Sequence, residues 1–443
     1  MPAVMIQGTG SDVGKSLLVA GLCRAARRRR ITVLPFKPQN MSNNTRLSAA
    51  GHEVATAQAL QALACGAAAD SDMSPVLLKP RSETGSQVVV QGRPLGAFAA
   101  RDYARLKPQL LDAVLASFAR LQARAELVIV EGAGSAAEVN LRRGDIANMG
   151  FARAAGVPVV LTGDIDRGGV IAQIVGTRAV LDPQDAGMVH GFIINRFRGD
   201  PDLFREGCRM IEERSGWRSF GVLPWFSDAR LLPAEDTLAL SSGGANAGGG
   251  GRLRICCLAL PRIAGFDALD PLRLEPDVRF SMVQPGEAIP EVALVIIPDS
   301  AAPQADLAVL RAEGWDVDLR AHHRRGGRIL GLGAGRLMLG QRLAEPGGAD
   351  VPGLGLSEAD AADGRIEGMA RAEVLADDGF RRRWLSRLGA TPVVRDWGQM
   401  LDEVLDRLAE HVEAHLDVSA IFALAQQAGA GVAERSAPGA VRR

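Results

Sequence analysis

Along the first half of the chain, apolar residues come in short unbroken runs separated by longer stretches of helical spacing. The runs at 3–7, 32–35, 127–131, 157–162, 191–195 and 219–224 are rich in Val, Ile or Leu. Short buried strands alternating with helices predict βαβ units, hence an α/β fold with a doubly wound, mostly parallel sheet. The stretch 241–251 (SSGGANAGGGG) has no side chain able to build a core and reads as a Gly-rich linker. Beyond it, runs at 253–260, 292–298 and 328–332 predict a second, smaller α/β unit. Between 397 and 427 the residues Met400, Leu401, Val404, Leu405, Leu408, Val412 and Leu416 recur at helical spacing, which predicts an amphipathic helix docked over the sheet. The expected division is therefore 1–240, a linker at 241–251, 252–389, and a helical tail at 390–443.

A chain of 443 residues exceeds what one hydrophobic core usually supports, in keeping with that division. Its 51 basic and 51 acidic residues cancel, which leaves no net field to hold a nucleic-acid backbone or an anionic membrane surface. No apolar run reaches the roughly 20 residues that span a bilayer, and no basic-then-apolar leader precedes the first strand, so the cytoplasm is the expected compartment. The cysteines Cys23, Cys65, Cys208, Cys256 and Cys257 show no CxxC spacing, which argues against a zinc site or a disulfide framework. The arginine run at 27–30 falls where the first helix should end, and there it suits the negative end of the helix dipole without any partner.

Lysine is scarce. It occurs only as Lys15, Lys37, Lys79 and Lys107, all other basic residues being arginine. A compact ammonium and a flat guanidinium are not interchangeable at a phosphate site, so the lysines merit inspection. Lys15 lies in Gly8-Thr9-Gly10-Ser11-Asp12-Val13-Gly14-Lys15-Ser16, after one predicted strand and before the helical run 17–26. Such a loop turns backbone N–H groups onto phosphate oxygens at a helix N-terminus, with Lys15 bridging phosphates and the Ser16 hydroxyl placed for Mg2+. A strict P-loop would carry glycine at the position of Thr9. Partition-type ATPase switches carry an additional early lysine, and positions 7–14 hold none.

Lys37 ends the second predicted strand in Phe36-Lys37-Pro38, at the sheet edge where doubly wound folds bind nucleotide. Glu131 closes a very apolar strand in Val128-Ile129-Val130-Glu131-Gly132-Ala133-Gly134, and a buried carboxylate there needs a partner, which Mg2+ on the β- and γ-phosphates would supply. Glu53 is either a second metal ligand or an exposed helix residue. Asn195, ending Phe192-Ile193-Ile194-Asn195, either reads an adenine edge or caps a turn.

The P-loop, Lys37-Pro38, the 131–134 turn, Asn195 and Gly221-Val222-Leu223-Pro224 together resemble the dethiobiotin synthetase superfamily. Finer strings narrow this. Lys37 to Ser42, Leu78-Lys79-Pro80 with Thr84 to Gln87, Asn140-Leu141-Arg142, Asp145 to Met149 and Asp164 to Gly169 resemble the cobyric acid synthase family, and Leu260 to Ile263 with Phe266 through Leu272 continue the likeness to about Gly389. The related cobyrinic acid a,c-diamide synthases carry an acidic segment where this chain has Gln39-Asn40.

That resemblance implies an ATP- and Mg2+-dependent ligase that amidates the b, d, e and g carboxylates of adenosylcobyrinic acid a,c-diamide through acyl phosphates, with glutamine or ammonia as nitrogen source. It implies catalytic roles for Lys15, Lys37 and Glu131 and a nucleotide site at 8–16 with Asn195. Ser16, Glu53 and Glu131 would hold the metal. A polyanionic corrinoid also calls for cations at the rim, and the candidates are Lys79, Arg81, Arg142 and Arg167, each of which is otherwise ordinary surface charge. The family's second domain is a class I, flavodoxin-like glutamine amidotransferase with a cysteine on a strand-to-helix turn and a later histidine. Here the turn reads Leu330-Gly331-Leu332-Gly333-Ala334-Gly335, with Gly333 at the nucleophile position and Ala372 at that of the histidine, and the segment from Gly355 to Asp363 is short. Without thiolate and base there is no route to a glutamyl thioester, so the expectation is a ligase fed by ammonia or by a separate glutaminase. The alternative is a nucleotide- or corrinoid-binding relative that has lost turnover, against which stand the intact Lys15, Lys37 and Glu131.

Overall fold

The computed structural model describes residues 2–81, 85–233, 251–344, 350–356, 364–393 and 396–436. Most of the expected linker, and Thr84 of the Thr84 to Gln87 string, lie outside the described residues. The six early runs form one six-stranded parallel sheet in the order Arg218–Pro224, Val189–Phe197, Val159–Asp164, Ala3–Gly8, Leu127–Glu131, Val33–Phe36. Its interior is almost wholly Val, Ile, Leu and Phe, as a sheet covered on both faces requires. Buried polar side chains gather instead at the carboxyl edge: Gln7, Lys37, Glu131, Thr162, Asp164 and Asn195. In an open α/β sheet that edge is where ligands bind.

Between Val33–Phe36 and Leu127–Glu131 the chain makes an excursion absent from the sequence reading. A small four-stranded sheet, Asn40–Met41, Val76–Pro80, Gly85–Val90 and Arg93–Ala99, and a hairpin of Thr45–Leu47 with Glu53–Ala55 rise above the carboxyl edge. Between that hairpin and Val76–Pro80, the helix Thr56–Cys65 packs back against the main sheet. A second sheet of five parallel strands runs Val278–Val283, Leu253–Leu258, Leu294–Ile297, Arg328–Leu332, Ile366–Met369. It meets the excursion through Arg46, whose Nε donates to Asp267 Oδ2 at 2.9 Å, and through Arg262, whose Nε donates to the Arg81 carbonyl at 3.0 Å. Among the described residues no helix is long and apolar enough to cross a membrane.

The tail docks over the sheet, packing on the first helix and also reaching the strand Arg218–Pro224, where His411 Nε2 lies 2.9 Å from the Pro224 carbonyl and Leu416 bridges Gly221. Leu401, Val404, Leu405, Leu408 and Val412 of the helix Trp397–His415 are buried in the same cluster as Leu18, Val19 and Leu22 of the helix Lys15–Arg28. The arginine run has partners after all: Arg28 pairs with Glu410 at 2.9 Å and Arg29 with Glu413 at 3.1 Å. Arg24 is buried and reaches Asp402 at 3.0 Å and Asp406 at 2.7 Å. Both carboxylates are half exposed, so Arg24→Met, which keeps the packing, is expected to cost about 1–2 kcal/mol in urea denaturation. Removing both carboxylates as Asn is expected to cost more, about 3 kcal/mol, because it strands a buried guanidinium.

Asp270, at the start of the short helix Asp270–Arg273, is 7% exposed. Its Oδ1 accepts from Arg273 Nη1 at 3.1 Å, and its Oδ2 has no hydrogen-bond partner among the described residues. Burial pushes this carboxyl up to about 7, with Arg273 opposing. The folded chain therefore holds the proton more tightly than the unfolded chain, and stability is lost as pH rises from about 4 through about 7. Asp270→Asn is expected to flatten that slope, so that the variant gains on the parent between urea midpoints taken at about pH 5 and about pH 8.

Candidate functional site

The strand Ala3–Gly8 runs into the glycine loop, and the helix Lys15–Arg28 begins at its far side. Gly14, the residue before that helix, has φ 87° and ψ 22°, a left-handed conformation that a side chain would strain. It is also crowded, since a Cβ there would stand 2.4 Å from Asn195 Nδ2. Lys15 Nζ donates to the carbonyls of Gly10 at 2.9 Å and Gly134 at 3.0 Å, so its ammonium bridges the loop and the turn after Glu131. Ser135 Oγ donates to the Thr9 carbonyl at 2.8 Å, and Thr9 Oγ1 donates to Gln173 Oε1 at 2.9 Å. Asp12 is joined by Arg196 at 3.0 Å, and Arg196 also reaches Asp164 at 3.0 Å.

Glu131 is fully buried, and its carboxylate is the hub of the edge. Oε1 accepts from Ser16 Oγ at 2.7 Å and from Lys37 Nζ at 2.8 Å. Oε2 accepts from Gln61 Nε2 at 2.6 Å and from Gln58 Nε2 at 3.3 Å. Gln61 also donates to the Ser16 carbonyl at 3.2 Å. An ionised carboxylate survives in a low-dielectric interior only with such compensation. The sequence reading missed both glutamines. The signal for them was two amides three residues apart in an otherwise small and apolar helix, which places both on one face.

Of the expected site residues, the structure brings together Lys15, Ser16, Lys37 and Glu131. Glu53 is elsewhere: its Oε2 accepts from Lys79 Nζ at 2.8 Å, on the wall of a cleft of about 690 Å³ between the excursion and the second sheet. Arg81 lines the same cleft and bonds to Gln87. Arg142 lies on the wall of a smaller pocket of about 330 Å³ beside the loop, and its guanidinium is held by the buried Asp185 at 3.0 Å. Arg167 is exposed and 3.7 Å from Asp12. The Asn195 amide braces the loop, donating to the Val13 carbonyl at 2.8 Å while its Oδ1 accepts from Arg196 N at 2.9 Å.

In the second sheet, Gly333 follows the strand Arg328–Leu332 and precedes the helix Ala334–Leu339, with φ 53° and ψ −118°. This is a sharp strand-to-helix turn in a conformation open essentially to glycine. A Cβ on Gly333 would lie 2.3–2.5 Å from the carboxylate of Asp299. Asp299 Oδ1 accepts the N–H of Ala334 at 2.8 Å and that of Ser300 at 2.8 Å. Burial pushes the Asp299 carboxyl upward, and those two N–H groups oppose the shift. Ala372 opens a 3-10 turn, Ala372–Ala376. The five cysteines make no disulfide, and burial pushes the thiols of Cys256, to about 12, and of Cys257 well up, so neither is an activated nucleophile.

A parallel sheet whose central strand ends in a lysine- and serine-bearing loop, beside a buried carboxylate, defines a P-loop nucleotide-binding protein carrying a second, amidotransferase-like unit. Residues 4–239 match the CobQ/CobB/MinD/ParA nucleotide binding domain, and residues 254–372 match the CobB/CobQ-like glutamine amidotransferase domain. The chain belongs to the cobyric acid synthase family. It is 53% identical to the cobyric acid synthase of Cereibacter sphaeroides, over 96% of this chain and 100% of that one. The corresponding figures for the Paracoccus denitrificans relative are 54%, 96% and 100%, and for that of Rhodobacter capsulatus 53%, 96% and 100%. The first alignment runs over 485 residues, more than the 443 of this chain, so that relative carries internal segments with no counterpart here. Among solved structures, the MinD cell division protein of Aquifex aeolicus aligns at 12% identity and TM-score 0.29 over 52% of this chain and 84% of that one, too loosely to bear on function.

Lys37→Met leaves the buried Glu131 short of its only cationic donor among the described residues and is expected to cost about 3 kcal/mol by chemical denaturation. The double variant Lys37→Met/Glu131→Gln is expected to recover most of that loss, since no uncompensated charge remains.

Proposed function

We propose that this protein amidates the b, d, e and g carboxylates of adenosylcobyrinic acid a,c-diamide, with ATP as phosphoryl donor and ammonia, free or delivered by a separate glutaminase, as nitrogen source. The observation that carries the ligase reading is the convergence of Lys15, Ser16, Lys37 and Glu131 at one sheet edge. A carboxylate is a poor acceptor for ammonia. Its oxygen therefore attacks the γ-phosphorus of ATP, ADP leaves, and the acyl phosphate so formed has a good leaving group. Ammonia then adds to the carbonyl and loses a proton, and inorganic phosphate departs to leave the amide. Lys15 and Lys37 supply fixed positive charge where negative charge gathers on the transferring phosphoryl group.

The donor set suits magnesium, which takes one or two protein carboxylates and completes its shell with phosphate oxygens and water. Ser16 Oγ and Glu131 Oε1, 2.7 Å apart, are the residues that would hold it, and bound there it would neutralise charge on the β- and γ-phosphates. Gln58 and Gln61 keep the carboxylate plane fixed through Oε2, while Lys37 shares Oε1. Glu53, paired with Lys79, is left to the cleft.

Ammonia dependence rests on the elbow. Gly333 offers no nucleophile, and the Asp299 carboxylate fills the space a side chain would need while occupying the N–H of Ala334. An oxyanion at that N–H would have to displace a carboxylate. The test is mass spectrometry of the diamide incubated with protein, ATP, Mg2+ and either ammonium or glutamine. Successive losses of about one dalton are expected with ammonium, at rates that rise with pH as the unprotonated amine fraction grows. Equal conversion with glutamine as sole nitrogen source, accompanied by glutamate release, would overturn the ammonia dependence. Gly333→Cys is expected to gain no glutaminase activity and to lose about 1–3 kcal/mol of stability from backbone strain and the clash with Asp299.

A further inference from the structure

The chain has four lysines, and three of them meet oxygen acceptors: Lys15 two carbonyls, Lys37 Glu131, and Lys79 Glu53. Lys107 is different. Among the described residues no oxygen acceptor is within hydrogen-bond range of its ammonium, which lies 5.8 Å from the centroid of the Tyr103 ring one helical turn earlier. It lines the pocket of about 330 Å³ whose other walls include Ser11 of the phosphate loop and Gly134, whose carbonyl holds Lys15. The pocket thus opens beside the lysine that would meet phosphate.

The remaining walls are unusual for a protein surface. Met41, Val139 and Leu141 line the same pocket while 58%, 43% and 56% exposed, although large apolar side chains in contact with water carry a free-energy cost. Gln39 is held by Tyr103, the only tyrosine of the chain, whose hydroxyl donates to Gln39 Oε1 at 2.6 Å. The Tyr103 proton is secure, since burial pushes the phenol well above its ordinary range. The other charged groups on these walls are Arg142, neutralised by Asp185, Asp145, whose oxygens accept the N–H groups of Ala147, Asn148 and Gly150, and Glu138. Lys107 is therefore the cation with capacity left to take an incoming anion.

The geometry points to this pocket as the acceptor subsite, with Lys107 binding the substrate carboxylate about to be phosphorylated and Met41, Val139 and Leu141 taking the apolar face of the macrocycle. The assignment rests on the ligase reading above and deepens it. Its form suits a ring whose several carboxylates must be presented in turn. One rotatable ammonium accepts any of them, and an apolar wall without directional donors tolerates rotation of the ring about its own normal. A pocket lined with fixed, directional donors would accept one orientation only.

The test compares parent, Lys107→Met, Lys107→Arg, Leu141→Ser and Glu138→Gln in the ammonium-fed amidation assay, with Arg105→Met, on the exposed face of the same helix, as control. Lys107→Met and Leu141→Ser are expected to raise KM for the corrinoid by about tenfold or more while leaving KM for ATP in place. Lys107→Arg restores part of the loss, Glu138→Gln lowers the corrinoid KM by removing a like charge, and Arg105→Met changes nothing. Parental corrinoid KM in both Lys107→Met and Leu141→Ser, with the parent active, would overturn the subsite and leave the ligase reading intact. Should the parent form no amide, that reading falls instead, and absorbance titration of the corrinoid into parent and Lys107→Met still decides the subsite: equal affinities would overturn it and weaker binding by the variant would support it.

Discussion

The structure is organised around a single charge buried at the edge of a parallel sheet. Glu131 has no contact with solvent, and four donors from three separate segments converge on it: Ser16 from the phosphate-loop helix, Lys37 from the end of the second strand, and Gln58 and Gln61 from the helix within the excursion. Each donor is costly to misplace, because an unpaired buried carboxylate costs several kcal/mol. The carboxylate therefore fixes the register of everything that reaches the edge. Lys15, tied to the turn just after Glu131, inherits that placement. Stability and the placement of Lys15, Ser16 and Lys37 therefore draw on the same contacts.

Much of the first sheet was legible because strands buried on both faces announce themselves as runs of Val, Ile and Leu, and the strand 127–131 is seen where the runs place it. The excursion was not legible. Strands such as Arg93–Ala99 face solvent along most of their length and carry no apolar run, and Asn40–Met41 is too short for any period to show. The same limit applied to Val278–Val283 and Ile366–Met369 in the second sheet. At the site, lysine scarcity and the loop spacing pointed to Lys15, Ser16 and Lys37, and a carboxylate closing a very apolar strand pointed to Glu131. Glutamines 58 and 61 carry no charge and no motif spacing, and only the fold reveals what they face. Glu53 illustrates the converse: a carboxylate just before the right helix in sequence sits in a hairpin strand and pairs with Lys79.

In the second sheet the strand-to-helix turn is crowded by local means. Gly333 retains a strained strand-to-helix conformation, yet the space in front of it is filled from a neighbouring strand end by Asp299. The N–H of Ala334, the first helical residue after the turn, already has a carboxylate upon it. Two side-chain identities account for this, with no rearrangement of the sheet. The unit keeps another occupation nonetheless, since Asp267 and Arg262 reach across to Arg46 and Arg81 and close one side of the large cleft.

The helix Trp397–His415 lies against the helix Lys15–Arg28, nearly the whole chain apart in sequence, and Arg24 reaches across to Asp402 and Asp406. During synthesis the first of these helices leaves the ribosome long before the second exists, and until then its outward apolar stripe has no cover. The nucleotide-binding half therefore cannot reach its final form as it is made, unlike units that complete themselves in N-to-C order. It must wait in an incomplete state until residues about 380 positions further along have been translated, which makes the nascent chain a natural client for holdase chaperones.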